Sequence, residues 1–243
     1  MSATAALAER WRARLHGVAF MSVRDIGLFR RSARTDAAIA RLRPSVGARE
    51  AFERVYRESG DPWASGSPKY RYQQRKYATL MGLLPQGRRY AQALDIGCGL
   101  GAMVGLLEAC ADAVLGLDVA QAAVDLARAR HAGRPSLSFA QGDVLDLPRA
   151  LDGRFDLIVV SDVLYYLSPL SDATLKGVAA RVSQMLAPGG LCLIANHFFF
   201  AADPDSRVSL RIHRAFGWSL GLDVVSEHRR PFYLATLLER AAA

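Results

Sequence analysis

The sequence predicts an α/β fold: a doubly wound, mostly parallel sheet of seven strands, with an antiparallel C-terminal strand and an N-terminal helical lid. Three observations predict it. From residue 90 onward short apolar runs alternate with helical stretches, the pattern of a parallel sheet covered by helices on both faces. The last two runs are separated only by residues 226–231, too few for a crossover helix, so they pair antiparallel. A glycine-rich turn joins the first run to the first helix of the alternating region.

The strand-like runs are residues 93–96, 113–118, 137–140, 155–160, 191–195, 222–225 and 232–238. Helical periodicity covers 102–111, 121–131, 171–187 and 206–217. Upstream, residues 69–84 read as a helix ended by Pro85, and Gly60-Asp61-Pro62 and Gly66-Ser67-Pro68 break the chain before it. Residues 49–58 carry another helical pattern, and Pro44 and Gly47 mark a junction. Leu7, Trp11 and Leu15 stand four apart, on one face of a helix. The chain therefore divides into an arm (1–48), a helical lid segment (49–89) and a sheet domain (90–243).

At 243 residues, 51% hydrophobic and 22% charged, the chain can bury a sizeable core, which excludes wholesale disorder. No run approaches the roughly 18–20 apolar residues of a membrane span. Cys98, Cys110 and Cys192 have no CxxC spacing, so neither a disulfide framework nor a zinc site is expected, and a reducing compartment, the cytoplasm, is. The net charge of +8 is unevenly placed. Residues 1–49 hold ten arginines against Glu9, Asp25 and Asp36, whereas the rest is nearly neutral. Three readings of the arm are an acidic partner surface, a transit peptide and a solvated, partly helical cap. The cap is preferred, because Trp11, Phe20 and Phe29 make no stacking platform for bases. No secretory signal is read. A neutral body holds polynucleotide phosphates poorly, so nucleic acid is not the expected substrate.

The first run ends in Leu94-Asp95-Ile96-Gly97-Cys98-Gly99-Leu100-Gly101-Ala102. Its glycines allow a sharp turn and close approach to a ligand, and the helix that follows offers free N–H groups. Asp118 closes the second run, where a carboxylate meets the ribose hydroxyls of an adenosine. Taken alone these features fit a nicotinamide dinucleotide and S-adenosylmethionine equally. Three others favour the second. Asp95 can face the cationic amino group of a methionine moiety but sits poorly beside a pyrophosphate. Asp143, in Gly142-Asp143-Val144, can accept the adenine amino group, and Leu186-Ala187-Pro188-Gly189-Gly190 leads into the fifth run by a tight turn.

The ordered set LDIGCGLG, GLDV, GDV, FDLIVVSDVLYYL and LAPGG resembles the class I S-adenosylmethionine-dependent methyltransferases over residues 90–240. A narrower resemblance reaches upstream. Asp61-Pro62-Trp63, Tyr72, Arg75-Lys76-Tyr77, Leu84-Pro85, Ser161-Asp162-Val163-Leu164-Tyr165-Tyr166-Leu167, Val208 and His213 are similar to the nodulation protein S (NodS)-like methyltransferases. Those enzymes N-methylate the amino sugar of a chitin oligosaccharide. The resemblance implies the cofactor S-adenosylmethionine and an amino-sugar or other small amine acceptor. Asp162 stands where such proteins usually carry Glu, and residues 1–45 match none of the pattern.

The expected cofactor residues are Arg75, Asp95, Gly97, Cys98, Gly99, Asp118, Val119, Asp143, Val144 and Ser161. Arg75 is placed there to answer the cofactor's carboxylate from a helical lid over residues 70–77. Asp162, Tyr165, Tyr166 and His197 are candidates to orient the acceptor and take its proton, and His213 is a further candidate base. Catalysis is otherwise alignment of a lone pair behind the donated methyl group. Tyr72 and Lys76 share the YxxxK spacing of reductases but precede the glycine turn, so they are read as ordinary helix residues. Cys98 is read as a space-filler, and residues 198–200, all Phe, as acceptor wall, core or lid. No metal is expected, since His16, His131 and His228 lack partners at ligand spacing. The alternatives are an O-methyltransferase, a nicotinamide-dependent oxidoreductase and a noncatalytic cofactor binder. Deleting residues 1–45 is expected to spare cofactor binding, and deleting 1–80 to abolish it.

Overall fold

A computed structural model of the chain describes residues 23–199 and 203–242. Strands β1 (Tyr90–Ile96), β2 (Ala111–Asp118), β3 (Leu137–Gln141), β4 (Phe155–Ser161), β5 (Leu186–His197), β6 (Leu222–Arg230) and β7 (Tyr233–Arg240) form one sheet in the order β3-β2-β1-β4-β5-β7-β6. Strands β1 to β5 pair in parallel, and β7 runs antiparallel to both β5 and β6. The chain order reverses between β1 and β4, which opens a crevice at their C-terminal ends.

The helices are α1 (Val23–Ser59), α2 (Arg71–Leu83), α3 (Ala102–Leu107), α4 (Gln121–Arg130), α5 (Asp172–Met185) and α6 (Pro204–Gly217). In β4 successive side chains leave on opposite faces. Ile158 and Val160 pack with α5 and α6 through Val178, Val182, Ile212 and Phe216. Leu157 and Val159 pack with α2, α3 and α4 through Leu80, Val104, Leu107 and Val124. Both faces are covered, so the unbroken apolar run of β4 is what a strand in this position requires. No helix among the described residues is long and apolar enough to cross a membrane.

Several boundaries differ from those the pattern predicts, most of all around β5 and β6. β6 continues five residues beyond 225 through Ser226-Glu227-His228-Arg229-Arg230, because its backbone pairs with β7 along its length. It is an edge strand, where charged side chains are tolerated and discourage pairing with another chain. The turn shrinks to Pro231-Phe232, with Phe232 in the left-handed region at φ 69°. β5 begins at Leu186, absorbing the Pro-Gly-Gly turn through an irregularity in its register against β4.

The largest departure is the arm. Residues 1–22, with the predicted 5–15 helical face, lie outside the described residues. From Val23 the chain is helical through Pro44 and bends at Gly47, whose φ of 80° is the left-handed conformation that glycine adopts without strain. Side chains from both sides of the bend share one apolar cluster: Ile39 and Leu42 with Ala51, Phe52, Val55 and Trp63. Polar contacts then fasten α1 to the body. Buried Asp25 accepts the backbone N–H of Arg71, at the start of α2, at 2.9 Å. Glu53 Oε2 accepts that of Ala122, at the start of α4, at 3.0 Å, while Arg57 holds Oε1 at 2.8 Å. Thr35 donates to the carbonyl of Pro62 at 2.8 Å. Both carboxylates thus meet orphan donors at the positive ends of other helices. Residues 23–48 are built into the fold and are not the solvated cap expected of them.

Glu53 is in effect the N-cap of α4, supplied from another helix. Glu53→Ala should cost about 1 kcal/mol, as loss of an N-cap does, and lower the melting temperature by about 2–4 °C. Glu53→Gln, which keeps an acceptor oxygen, should lose less. Thermal melts of the three proteins check this, and equal midpoints would contradict the capping role.

Candidate active site

A cavity of about 420 Å³ lies at the C-terminal ends of β1, β2, β4 and β5, beneath α1 and α2. Its first half is the glycine turn. The N–H groups of Gly97 and Cys98 both donate to Leu117 O, at 2.7 and 2.9 Å. Asp118 Oδ2 accepts from Gly99 N–H at 2.9 Å and Oδ1 from Ala120 N–H at 3.0 Å. The ends of β1 and β2 are thereby laced together. Gly97 and Gly99 have φ of 74° and 51°. A Cβ at Gly97 would overlap Val163, and one at Gly99 would lie 2.9 Å from the Tyr56 hydroxyl. Burial pushes the Asp118 carboxyl up to about 6, against the pull of the N–H groups of Ala120, Gly99 and Val119. Each of its oxygens keeps a further lone pair for a hydroxyl donor. Asp143 Oδ1 accepts from Leu145 N–H at 2.9 Å, which fixes the turn after β3.

Gly97, Cys98, Gly99, Asp118, Val119, Asp143, Val144 and Ser161 all border the cavity. Two of the expected cofactor residues do not. Asp95 is only 3% exposed, and burial, then the charge of Asp118, raises its carboxyl well above the usual range. It sits behind the turn, so the expected contact with a methionine amino group is not offered at the wall. Arg75 lies on the exposed side of α2, and its neighbour Lys76 borders the cavity instead. One residue along a helix is a rotation of about 100°, enough to exchange outside for inside. Tyr72 and Lys76, four apart on one face, both border the cavity, which corrects their reading as ordinary helix residues. Lys76 Nζ forms an ion pair with Asp162 Oδ2, and it lies 5.2 Å from the centre of the Tyr233 ring.

Asp162 opens the second half of the cavity. It follows β4 with a φ of 57°, held by its N–H donating to Ala195 O at 2.8 Å. Left-handed backbone in a residue other than glycine is strained, and such strain gathers at functional sites. A short turn, Leu164–Leu167, then presents Tyr165 and Tyr166 with ring centres 4.2 Å apart. Burial raises both phenols, which therefore stay protonated and serve as donors, not as bases. Arg43 clamps this turn by donating to the carbonyls of Tyr166 and Ser168. The hydroxyl of Tyr166 and the indole N–H of Trp63 both donate to Asp36 Oδ1, at 2.7 and 2.8 Å. Burial raises the Asp36 carboxyl despite these two bonds.

His197, at the end of β5, borders the cavity, whereas His213 does not. His213 is buried between Asn196 (3.2 Å) and Thr236 (2.7 Å), and burial drives it down to about 3. It is a neutral core residue and no base. Phe198 is buried with the Arg229 guanidinium 4.5 Å from its ring centre, Phe199 stacks on Phe232, and Phe200 lies outside the described residues. The aromatic wall comes instead from Phe52, Tyr56, Trp63, Tyr70, Tyr72 and Phe232. The Asp-Pro-Trp and Tyr72 matches marked this wall only in part. Burial raises the Cys98 thiol, in keeping with a space-filling role.

The charged residues on the wall are Asp36, Asp118, Asp143, Asp162 and Asp205 against Lys76 and His197. Among the described residues the one lysine on the wall is already paired with Asp162, which disfavours a pyrophosphate there. The tight glycine turn and the spare lone pairs of Asp118 fit the nucleoside of S-adenosylmethionine.

The sequence profile of nodulation protein S (NodS) matches residues 47–225. The chain belongs to this family. Nodulation protein S of Rhizobium tropici is 33% identical over 148 residues, 60% of this chain and 56% of that protein. Trans-aconitate 2-methyltransferase of Deinococcus radiodurans is 38% identical over 123 residues, 49% and 43% of the two. The chain spans about half the length of these curated relatives. The N-methyltransferase NodS from Bradyrhizobium japonicum WM9, solved with S-adenosyl-L-homocysteine, superposes with a TM-score of 0.66 at 23% identity, covering 79% of this chain and 97% of that one. The fold is accordingly that of the class I methyltransferases. The family match begins at the bend in α1, so the half-helix carrying Asp36 and Arg43 precedes it.

Two outcomes follow for the site. Hydroxyl donors favour the ionised form of Asp118, whose folded value of about 6 lies above that of a free carboxyl. S-adenosylhomocysteine affinity should therefore rise as pH increases through about 6 and level off above it, and Asp118→Asn should weaken binding and flatten the rise. Calorimetric titrations at pH 5 and 7.5 read both. The side chain of Lys76 is 4% exposed and that of Asp162 26%, so removing either leaves a different residue of charge. Asp162→Ala strands the more buried partner and should destabilise by about 3 kcal/mol. Lys76→Ala should cost clearly less, and the reverse order in denaturant unfolding would contradict the burial argument.

Proposed function

We propose that this protein transfers a methyl group from S-adenosylmethionine to the nitrogen of an amino sugar or another small amine. The observation that carries this reading is the cavity wall: five aspartates, one lysine that is already paired, one histidine and a lining of aromatic rings. An anionic aromatic cavity suits an acceptor that becomes a cation and has apolar faces. It repels a carboxylate acceptor such as the one named for the Deinococcus radiodurans relative. The same aspartates disfavour a polynucleotide's phosphates in the cavity, where none of the arginines of α1 lies. The solved Bradyrhizobium relative is an N-methyltransferase, which supports nitrogen over oxygen. A reducing compartment such as the cytoplasm suits its three free thiols.

In this reading Gly97, Cys98, Gly99, Val119 and Val144 enclose the nucleoside, and Asp118 accepts its ribose hydroxyls. The sulfonium, when bound, supplies an already activated methyl group, so the protein's task is alignment. α1 and α2 cover the crevice and exclude water. Tyr165 donates to polar groups of the acceptor, while the Tyr166 hydroxyl is spent on Asp36. An amine attacks only when neutral, and His197, at the end of β5, receives the proton that the nitrogen sheds.

Radiolabelled methyl transfer tests this directly. Glucosamine and deacetylated chitin oligomers should be methylated with a rate that rises toward alkaline pH, and their N-acetylated counterparts should not react. His197→Ala should lower kcat by about 100-fold and leave S-adenosylhomocysteine affinity unchanged. Transfer to carboxylic acids or to RNA, with none to amines, would defeat the proposal.

A further inference from the structure

We infer that Asp36 is the acceptor-anchoring carboxylate, its Oδ2 accepting an N–H of the amine as the lone pair faces the methyl donor. The inference rests on the amine-acceptor reading above and names the residue that recognises the amine. It places the decisive contact on a half-helix outside the matched part of the family.

The two oxygens of Asp36 differ. Oδ1 is taken by two donors, Trp63 Nε1 at 2.8 Å and the Tyr166 hydroxyl at 2.7 Å. Oδ2 has no hydrogen-bond partner among the described residues, and Asp36 borders the cavity. Two donors on one oxygen fix the plane of the carboxylate and leave the other oxygen committed to nothing. A half-buried carboxylate on the cavity wall with one oxygen uncommitted is placed to accept from a cationic or N–H donor ligand. Lys76 is engaged on Asp162 and Arg43 on the carbonyls of Tyr166 and Ser168, and His197, on the same wall, makes no hydrogen bond to Asp36.

This divides labour between the two carboxylates. Asp162 is paired with Lys76, whereas no lysine or arginine among the described residues pairs with Asp36. The rings around Asp36 strengthen the case. Phe52, Trp63 and Tyr166 have centres 5.6 to 6.1 Å apart, and their faces favour a cation. During transfer the nitrogen forms one bond to carbon, the carbon–sulfur bond breaks with its electron pair on sulfur, and positive charge appears on nitrogen. A fixed carboxylate on that nitrogen's N–H stabilises the charge as it develops. The product is an ammonium ion, which sheds its proton to His197 or to water.

The test is Asp36→Asn, which keeps the shape and an acceptor for Trp63 but removes the charge. Binding of glucosamine and of benzylamine to protein saturated with S-adenosylhomocysteine is measured by calorimetry, with N-acetylglucosamine as the neutral control. Amine binding should weaken by about tenfold or more, the scale of a lost hydrogen bond to a charged group. S-adenosylhomocysteine affinity and the melting temperature should stay at wild-type values. Equal amine affinity in both proteins would overturn the role of Asp36 while leaving the methyl-transfer reading standing. A variant that loses S-adenosylhomocysteine binding together with amine binding would also overturn it, showing Asp36 to be a support of the cavity. Wild-type protein that binds neither amine would overturn both readings.

Discussion

The ion pair between Lys76 and Asp162 is the contact on which the site depends. It ties the middle of α2 to the end of β4, so the lid and the sheet cannot move apart without exposing an uncompensated charge inside the protein. Asp162 is held in a left-handed backbone conformation beside it, and the tyrosine turn that forms the far wall starts two residues later. Positions of the lid, the strained residue and the aromatic wall thus share one anchor. The pair is also the reason that the anionic lining is not simply repulsive: one of its carboxylates is neutralised in place.

A second set of contacts does for α1 what this pair does for α2. The arm carries many arginines and few acids, and its side chains invert the impression that this composition gives. Arg30, Arg31, Arg34, Arg41 and Arg49 are exposed, while Asp25 caps α2 and Asp36 faces the cavity. Net charge describes the solvated majority of such a segment. The work is done by the minority of opposite sign.

This explains what could be read before the fold was known. β1, β2 and β4 are buried on both faces, so their apolar runs stand out, and the glycine turn with Asp118 follows from the chemistry of a nucleoside. The antiparallel end followed from loop length alone. Other features depended on information that one-dimensional patterns lack. β6 is polar because it is an edge, and nothing local marks a polar run as a strand. Whether Arg75 or Lys76 turns inward is a matter of helical phase, and phase is set by packing against Leu80 and Tyr72, not by either cation. His213 looked competent because it follows the strand that bears His197. It lies instead on the face of α6 that packs against β5 and β7, where burial removes its proton. Asp36 gave no signal at all, since its partners Trp63 and Tyr166 are 27 and 130 residues away.

The bend at Gly47 has a consequence for how such a chain can diversify. The glycine turn and Asp118 lie after it, within the part shared with the family, and the half-helix before it reaches the opposite wall. A hinge residue that needs no side chain joins the two. The leading half-helix can therefore vary where it faces solvent or the cavity, while Asp25, Thr35, Ile39, Leu42 and Arg43 tie it to the rest of the fold. Its cavity-facing positions, Asp36 among them, can then change while the glycine turn on the other wall stays fixed.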